Sequence, residues 1–272
     1  FLQAVRNSGS IGLGGAGFPT ALKLGFDPKE KQPDFLIING AECEPYITSD
    51  YRCFMEEGED VLEGVLLILK YLGIPKCVIG IEKNKPKAIE KMTKLCEKYD
   101  NITVKALKSS YPQGAEKTLI FSTTGRIVKE GTLPLTSGCI VVNSSTAAFI
   151  AQYIKTGMPL VKRRITVDGN IVKKPSNFIV PVGMSIGEIV YYAELSDKPD
   201  RIILGGPMMG ACAFDPDYPL SKTNNAVLMF ADSPVYEPSA CIRCGKCVRA
   251  CSMNLLPTEL EHAFDMKDAD RL

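Results

Sequence analysis

From residue 34 to about residue 156, short apolar runs alternate strictly with longer segments of helical spacing. The apolar runs are 34–40, 76–82, 101–107 and 137–143, and the helical segments are 49–73, 84–99, a stretch near 114–124, and 144–157. Strands separated by helices pair in parallel, and nearly continuous hydrophobicity is typical of strands that are covered on both faces. The sequence therefore predicts an α/β fold with a mostly parallel sheet.

The pattern changes after Pro159. The segments VKRRITV and NIVKK flank Asp168-Gly169, a pair that is typical of tight hairpin turns. SNFIVPVGMSIGEIVYYAEL then predicts a strand, a Pro-Gly turn and a short helix, so that residues 159 to about 200 are expected to form a small β-grasp unit. RIILGGPMMG and NNAVLMFAD add two apolar strands, and SPVYEPS is predicted to be a linker.

Composition limits the classes of protein to which the chain can belong. Its 272 residues carry a net charge of +1, which gives no electrostatic basis for binding nucleic acid or a membrane surface. The longest apolar run, Val65 to Leu69, is too short to cross a bilayer, so membrane contact is expected only through partner proteins. His262 is the only histidine, which argues against a Ser-His-Asp triad or a multi-histidine metal site.

Four of the ten cysteines lie within eleven residues, in the segment CIRCGKCVRACS. They are Cys241, Cys244, Cys247 and Cys251, and their C-x2-C-x2-C-x3-C spacing is that of a bacterial ferredoxin [4Fe–4S] run. Zinc sites usually separate two CxxC pairs by a longer spacer, so an iron–sulfur cluster is favoured. The residue after the fourth cysteine is Ser252, where this motif usually has proline.

The fourth cysteine of such a run leaves two arrangements open. Cys251 closes a single cluster, or it ligates a second cluster together with a run from elsewhere in a longer protein. The second arrangement is expected, because the chain has no initiator Met and ends within a charged, helix-like stretch. The six scattered cysteines and His262 are expected to be ordinary packed or solvated residues, and the acidic run 56–60 is expected on a solvated helix face.

The stretch IGLGGAGFPT, residues 11–20, matches the G-x-G-x-x-G dinucleotide fingerprint at Gly12, Gly14 and Gly17. That fingerprint requires a strand before the first glycine and a helix at the last one. Here the preceding FLQAVRNSGS has the pattern of a helix end, and Phe18-Pro19 delays any following helix. A simple Rossmann turn is therefore not expected, and the glycines alone favour a tight turn and a ligand loop about equally.

Polar residues follow the predicted strands at the ends where open α/β sheets bind ligands. Lys23 follows the glycine stretch, and the first strand ends in NGAECEPY. The segment YPQGAEK contributes further polar groups, and SGCIVVN leads into NSST at a helix start, where amides and hydroxyls favour a phosphate. These clusters together predict a nucleotide or flavin site.

The segments GLGGAGFPT, INGAECEPYITSD, YPQGAEKTLI, GGPMMG and CIRCGKCVRAC occur in this order and resemble the C subunit of the Rnf membrane electron-transport complex over essentially the whole chain. The first part is more distantly similar to the flavin-bearing 51-kDa subunit of respiratory complex I. The resemblance implies a Rossmann-like FMN-binding domain (1–157), a β-grasp domain of the soluble-ligand-binding (SLBB) type with its following strands (158–235), and the start of a ferredoxin-like 4Fe–4S module (236–272).

The resemblance also implies which residues bind cofactors. Lys23 and the Asn143 region would hold the FMN phosphate, Phe18 would stack on NADH, and Glu44 would lie near the nicotinamide. No catalytic residue is implied, because the cofactor carries the chemistry of hydride transfer. The full implied cofactor-binding set is Gly12, Gly14, Gly15, Gly17, Phe18, Lys23, Asn39, Glu42, Glu44, Tyr111, Gly114, Glu116, Val142, Asn143 and Ser144.

Several positions depart from the complex I pattern. Leu13 replaces an Arg, Ala41 an Asp, Cys43 a Gly and Ala115 a Glu, and a Lys-Pro-Pro-Phe-Pro segment before TSG is missing. FMN binding is expected to tolerate these changes better than the pose of NADH does.

By resemblance, the chain is an electron-transfer subunit of an ion-translocating NADH:ferredoxin oxidoreductase, peripheral on the cytoplasmic face of the cell membrane. A hydride would pass from NADH to N5 of FMN, and single electrons would go on to two [4Fe–4S] clusters in the full-length protein. Partners would be other Rnf subunits, including an iron–sulfur subunit, and indirectly ferredoxin. Two alternatives stay open: a soluble reductase such as the cobalamin reductase of propanediol microcompartments, or a non-catalytic wiring or assembly subunit with a decayed nucleotide site.

Overall fold

The computed structural model describes residues 1–27, 32–232, 237, 239–251 and 254–271. The chain divides into two compact units, Phe1–Ser233 and Pro234–Leu272. Most of the predicted linker SPVYEPS lies outside the described residues, and so does Ser252.

The first sheet of unit 1 is parallel throughout, as the alternating pattern predicts. Its strands are β1 (Phe35–Gly40), β2 (Lys76–Glu82), β3 (Ile102–Leu107) and β4 (Cys139–Asn143), in the order β3-β2-β1-β4. The central strands are buried along nearly their whole length because helices cover both faces of the sheet.

The helices of this part are α1 (Leu2–Asn7), α2 (Thr20–Leu24), α3 (Ser49–Leu72), α4 (Pro86–Cys96), α5 (Glu116–Thr124) and α6 (Ser144–Thr156). Helices α3 and α6 pack closely: a Cβ added at Gly64 would lie only 1.9 Å from the Ala147 carbonyl oxygen, so only glycine fits there. Between α1 and the five-residue α2 lies the glycine stretch, whose ends are joined by a single bridge from Ile11 to Pro19. The expectation that it is not a simple Rossmann turn is confirmed.

A second sheet of unit 1 follows, with strands β5 (Lys162–Asp168), β6 (Ser176–Pro181), β7 (Arg201–Leu204), β8 (Ala211–Ala213) and β9 (Ala226–Phe230) in the order β6-β5-β9-β7-β8. Helix α7 (Ile186–Ala193) packs on it. Strands β5 and β6 form an antiparallel hairpin, and the last strand, β9, inserts parallel to β5. This hairpin, helix and parallel central pair give the expected β-grasp topology.

The predicted tight turn at Asp168-Gly169 is wrong. Strand β5 pairs with β6 so that Val167 lies opposite Ser176, and the connection is therefore several residues long. Gly169 has a φ of +135°, and a Cβ on it would lie 1.9 Å from the Met229 carbonyl oxygen. The glycine thus serves a close backbone approach to β9, and the short strand β8 is a further element that the sequence did not indicate.

The prediction that the acidic run in α3 lies on a solvated face is only partly correct, because several of its carboxylates form ion pairs. The Arg164 guanidinium on β5 contacts Glu56 Oε2 and Glu57 Oε1, each at 2.6 Å. Asp60 lies 2.9 Å from Lys155 Nζ on α6. Glu57 departs from helical geometry, with a φ of −122°, and these pairs connect α3 to its neighbours.

Unit 2 contains the short helices α8 (Lys246–Ala250) and α9 (Pro257–Asp265). Ala263 is the only buried apolar side chain among its described residues, and His262 on the same helix is exposed, as expected. Over the described ranges of the chain, no helix combines the length and apolarity needed to span a membrane.

Candidate cofactor site

The candidate site lies where the strand order of the first sheet reverses. The chain leaves β1 toward β2 on one side and returns to β4 on the other, and open α/β sheets bind ligands at such a switch point. The glycine loop, defined here as residues 12–18, meets the start of α6 at this place. A Cβ added at Gly14 would lie 3.3 Å from Asn143 Nδ2, which leaves little room for a larger residue.

The glycine loop is fixed at its ends and open in its middle. The Gly12 amide donates to the Phe18 carbonyl oxygen at 2.8 Å, and the Leu13 amide donates to Thr146 Oγ1 at 2.9 Å. The amides of residues 14–16 donate to no group in the described part of the chain. Gly15 has a φ of +112° with open space where a Cβ would be. Free amides in such a concave loop bind anions.

The N-terminus of α6 forms the opposite side of this opening. Asn143 caps the helix, with Oδ1 accepting from the Thr146 amide at 3.3 Å, and its Nδ2 donates to Asp50 Oδ2 at 2.7 Å. Ser144 is fully buried, and its hydroxyl forms no regular hydrogen bond with any described residue. The hydroxyl is nevertheless near enough to Asp50 to lower the pKa of that carboxyl. The first-turn amides and this hydroxyl suit a phosphate.

Asp50, in the first turn of α3, is a site residue that sequence reasoning missed. Its buried carboxylate accepts from Ser145 Oγ at 2.6 Å as well as from Asn143. Burial raises the pKa of Asp50, while the two hydrogen bonds and the positive charge of Arg163 oppose the rise. The sequence offered no signal, because an acidic residue at a helix start is ordinary.

The loop after β1, residues 41–44 and called here the acidic loop, adopts a constrained backbone. Glu42 has a φ of +45°, and its carboxylate accepts from the amides of Asp50 at 2.6 Å and Tyr51 at 3.1 Å. Burial, and then the Asp50 charge, raise the pKa of Glu42 to about 8, against the opposing effects of Lys85 and the two amides. Burial thus favours the protonated form of Glu42.

Lys85 holds the backbone of the acidic loop, and it is a second site residue that sequence reasoning missed. Its Nζ donates to the carbonyl oxygens of Ala41 at 3.0 Å and Glu42 at 3.3 Å. It forms an ion pair with Glu82, and Nζ–Oε2 is 3.2 Å. Both side chains are buried, so removal of either one would leave an uncompensated charge.

A cavity of about 720 Å³ opens beside the acidic loop. It lies at the carboxyl ends of β1, β2 and β3, and three predicted residues, Glu42, Glu44 and Tyr111, line it. Its size is that of a small-molecule or cofactor site.

Other predicted residues pair with one another. Lys23 forms an ion pair with Glu116 at the start of α5. Asn39 at the end of β1 donates from Nδ2 to the Gly114 carbonyl oxygen at 2.8 Å. These contacts connect the segment after the glycine loop, the end of β1 and the start of α5.

Cys43 does not behave as the packed thiol that was expected. It lines the cavity, and its Sγ accepts from the Gly114 amide at 3.4 Å. A Cβ on Gly114 would lie 3.3 Å from that sulfur. Of the other scattered cysteines, Cys212 is exposed and the remaining four are buried as expected.

The last predicted residues differ in how far they are engaged. Glu44 Oε2 accepts from the Met208 amide at 3.0 Å, whereas Glu44 Oε1 is buried with no partner among the described residues. Phe18 is 50% exposed, and Val142 is buried within β4. Gly17 has a φ of +68° and lies against Thr223.

The arrangement fits FMN. The open amides of the glycine loop, the buried hydroxyl of Ser144 and the N-terminus of α6 together suit its phosphate. The cavity is lined by the acidic loop and not by these groups, and Glu42, which lines it, is connected to Asn143 through Asp50. Its volume is enough for a ring system.

The cysteine run lies in unit 2. Cys241, Cys244 and Cys247 are exposed, and Cys251 is half-buried. The amides of Arg243 and Leu255 each donate to a cysteine sulfur, on Cys241 and Cys251, at 3.4 Å. Within the ranges that the structure describes, no three metal-ligating side chains are gathered closely enough to hold a single metal ion. Four thiols at this spacing nevertheless have the donor chemistry of an iron–sulfur cluster.

A family profile described as the Nuo51 FMN-binding domain matches residues 5–152, which is more than half of the chain. The chain belongs to this family. A second profile, described as a 4Fe-4S binding domain, matches residues 233–256. Both profiles confirm cofactors that the sequence predicted: this member of the Nuo51 family carries an FMN-binding α/β domain and a 4Fe–4S binding segment.

Named relatives of this Nuo51-family chain belong to ion-translocating complexes. It is 42% identical over 262 residues to the C subunit of the proton-translocating ferredoxin:NAD(+) oxidoreductase complex of Clostridium ljungdahlii, covering 95% of this chain and 57% of the relative. It is 40% identical to the Na(+)-translocating counterpart of Acetobacterium woodii, covering 95% of this chain and 59% of the relative. The C subunit of the ion-translocating oxidoreductase complex of Rhodobacter capsulatus is 37% identical, with 98% and 53% covered.

These matches confirm the predicted resemblance to Rnf-type C subunits. The chain spans about half the length of the relatives that it matches. Among solved structures, an NAD+-reducing [NiFe]-hydrogenase in the H2-reduced state shares the fold, with a TM-score of 0.70, 23% identity, and 84% of this chain and 46% of that chain covered.

Proposed function

We propose that this chain is the flavin- and cluster-bearing part of an electron-transfer subunit in an ion-translocating NADH:ferredoxin oxidoreductase of the Rnf type. The observation that carries the proposal is the meeting of the open glycine loop with the N-terminus of α6, at the same end of the parallel sheet as the acidic loop and its cavity. The names of the relatives, each the C subunit of such a complex, support it.

The proposal assigns binding roles to the chain's own residues. The amides of the glycine loop, Lys23 and the first turn of α6 would hold the FMN phosphate. Asn143 would act mainly by capping that helix, since its amide group is already engaged with Thr146 and Asp50. Phe18 would stack on NADH. The remaining predicted positions that would surround FMN are Gly12, Gly14, Gly15, Gly17, Asn39, Glu42, Tyr111, Gly114, Glu116, Val142 and Ser144.

When bound, FMN supplies the conversion between two-electron hydride chemistry and one-electron transfer. The protein's share is to orient NADH and to exclude water. Glu44 would lie near the nicotinamide, where its buried oxygen Oε1 could accept a hydrogen bond from the carboxamide N–H. The thiols of Cys241, Cys244, Cys247 and Cys251 would ligate iron.

The proposal extends to the surroundings of the protein. Its partners would be other Rnf subunits, including an iron–sulfur subunit, with ferredoxin reached indirectly. The protein would lie on the cytoplasmic face of the cell membrane and contact the membrane only through those partners. The three proposed domains are 1–157, 158–235 and 236–272; the two separate sheets of unit 1 support the first boundary.

The test is the visible spectrum of the purified full-length protein under anaerobic conditions, before and after NADH is added. Bound flavin that is bleached by NADH is the expected result. Absence of flavin would contradict the cofactor assignment, and bound flavin that NADH leaves unchanged would favour the non-catalytic wiring alternative. Lys23→Ala removes a cation from the proposed phosphate site. Its affinity for FMN, measured by fluorescence titration of the apoprotein, should be roughly ten- to a hundredfold lower than that of the wild type.

A further inference from the structure

The glycine loop is held from outside its own sheet. Arg163, on β5 of the second sheet, is buried and donates from its guanidinium to the Leu13 carbonyl oxygen at 2.5 Å. The same side chain donates to the carbonyl oxygens of Lys222 at 2.5 Å and of Asn224. One side chain thus fastens the glycine loop to the segment that leads into β9.

Arg163 is an unusual anchor because its direct partners are neutral. In the described ranges, its hydrogen bonds go to carbonyl oxygens and it forms no ion pair, although the charge of Asp50 acts on it from further away. Burial lowers the pKa of Arg163 to about 10, so it stays charged at neutral pH. A buried charge is unfavourable unless hydrogen bonds compensate for the lost solvation. Here all three hydrogen bonds of Arg163 go to backbone carbonyl oxygens, one in the glycine loop and two in the segment before β9.

The segment 222–224 makes further contacts with Gly9, just before the glycine stretch, and with Gly17 inside it. Lys222 Nζ donates to the Gly9 carbonyl oxygen at 2.8 Å. A Cβ built on Gly17 would lie 2.5 Å from Thr223 Cγ2, so the threonine methyl group packs directly on this glycine. Arg163 on β5 and the segment that leads into β9 therefore hold the glycine loop at Leu13 and Gly17, and hold the chain just before it at Gly9.

The acidic loop is held from the second sheet as well. The segment 205–210, between β7 and β8, carries the GGPMMG motif, whose role the sequence left open. The Met208 amide donates to Glu44 Oε2, and a Cβ on Gly206 would lie 2.2 Å from the same oxygen. Gly206 therefore leaves the space that the carboxylate occupies, and Glu44 Oε1 is turned away from this hydrogen bond.

We propose that the second sheet supplies positioning residues for both sides of the flavin site: Arg163 sets the glycine loop, and Gly206 with the Met208 amide sets Glu44. The inference rests on the proposed function. It assigns the β-grasp unit a structural role at the redox site. Because the two contacts reach different loops, their effects should separate: Arg163 acts on FMN, and Gly206 acts on NADH.

The first experiment compares Arg163→Lys with Arg164→Lys in the full-length protein. Lysine at 163 keeps the charge but cannot reach three carbonyl oxygens, so FMN affinity, measured by fluorescence titration of the apoprotein, should fall at least about tenfold. The flavin midpoint potential should shift too. Arg164 lies next on the same strand and contacts Glu56 and Glu57 only, so its variant should keep wild-type FMN affinity.

The second experiment compares Gly206→Ala with Gly187→Ala. A methyl group at 206 displaces the Glu44 carboxylate, so the KM for NADH should rise at least about fivefold while FMN affinity stays within about twofold of wild type. Gly187 lies in α7, and a Cβ there would meet its nearest neighbour, the Pro216 carbonyl oxygen, at 3.4 Å, an ordinary contact. Its variant should match wild type.

If the wild-type protein binds FMN and is reduced by NADH, but both test variants behave like their controls, this inference is wrong and the proposed function still holds. Wild-type protein without either property would refute the proposed function instead. If Arg163→Lys does not fold, Lys222→Met, at a partly exposed position, replaces it. If Gly206→Ala does not fold, Met208→Pro replaces it; proline removes the amide donor and also the side chain, and Met208→Leu controls for the change of side chain. Either replacement must show its loop's effect, and wild-type behaviour overturns the inference.

Discussion

At the scale of single residues, the buried carboxyl of Glu42 makes stability depend on pH. Its pKa rises from 4.5 in the unfolded chain to about 8 in the folded protein, chiefly through burial. Between these values the folded state holds a proton that the unfolded state has lost, so this group lowers the free energy of unfolding progressively as the pH rises from about 4.5 toward 8. We expect a fall on the order of 1 kcal/mol per pH unit from this group, in the flavin-free protein, by denaturant titration at several pH values.

Glu42→Gln provides the control, since glutamine cannot titrate. The variant's stability should lose this downward slope between about pH 5 and 8, while other carboxyl groups still contribute theirs. Asp50, whose pKa burial also raises, should add a downward slope of the same sign in both proteins, so the difference between the two slopes measures Glu42. Equal slopes in wild type and variant would show that Glu42 is ionised throughout this range.

The aromatic side chain of Phe18 gives a second prediction at this scale. Phe18 is half exposed on the glycine loop, and an aromatic stack on a nucleotide contributes on the order of 1 kcal/mol. Phe18→Ala should therefore raise the KM for NADH about fivefold and leave the FMN content unchanged. Phe121→Ala, a similarly exposed phenylalanine on α5, is the matched control. Parallel loss of flavin and NADH binding would mean that Phe18 only holds the loop together.

At the scale of elements, the cap of α6 links local stability to cofactor binding. Asn143→Ala removes the acceptor of the Thr146 amide and a donor to the buried Asp50 carboxylate. We expect a loss of about 1–3 kcal/mol in unfolding free energy, together with weaker FMN binding, because the helix N-terminus loses its fixed position. Thermal unfolding and fluorescence titration measure the two effects.

Ser185→Ala is the control for this prediction. Ser185 caps α7 in a capping box with Glu188, far along the chain from the candidate site. Its replacement should cost about 1 kcal/mol of stability but leave FMN affinity unchanged. If both cap variants weakened FMN binding equally, the effect would be one of general destabilisation, and no special role of α6 would follow.

The elements that the sequence predicted correctly are those with strong local periodicity. The four parallel strands and the helices between them agree with the structure to within a few residues. Strands β1, β2 and β4 bury nearly continuous apolar runs, which gives them a strong local signal. The predicted tight turn at Asp168-Gly169 was wrong because Gly169 allows the close approach of the Met229 backbone and does not form a two-residue turn. Nothing in the local sequence distinguishes the two uses.

The candidate site divides in the same way. Lys23, Asn39, Gly114 and Glu116 could be singled out because they follow predicted strands or loops, and the structure pairs them. Three buried ionic groups, Asp50, Lys85 and Arg163, could not. Each is buried and is distant in sequence from the groups it binds: Lys85 and Arg163 donate to backbone carbonyl oxygens, and Asp50 accepts from two side chains of α6 and its cap. Only the folded chain brings these partners together.

At the scale of the whole molecule, the two units differ in what holds them together. Unit 1 has extensive apolar cores, whereas the described part of unit 2 buries little besides Ala263. A small segment with so little core depends on its metal or on partners for order. The cluster and the flavin should therefore be lost independently of each other.

Replacing Cys244 tests this independence in the full-length protein. Cys244→Ala removes one thiolate from the run, so iron content should fall by about four atoms per chain while FMN affinity and the thermal stability of unit 1 stay at wild-type values. NADH should still bleach the flavin, but electron transfer to an external acceptor should slow strongly, because the bound flavin has lost its outlet. Cys212→Ala, at an exposed cysteine on β8, should change none of these quantities. A variant that loses flavin together with iron would show that the two units stabilise each other, and the cluster would then belong to the architecture of the flavin site.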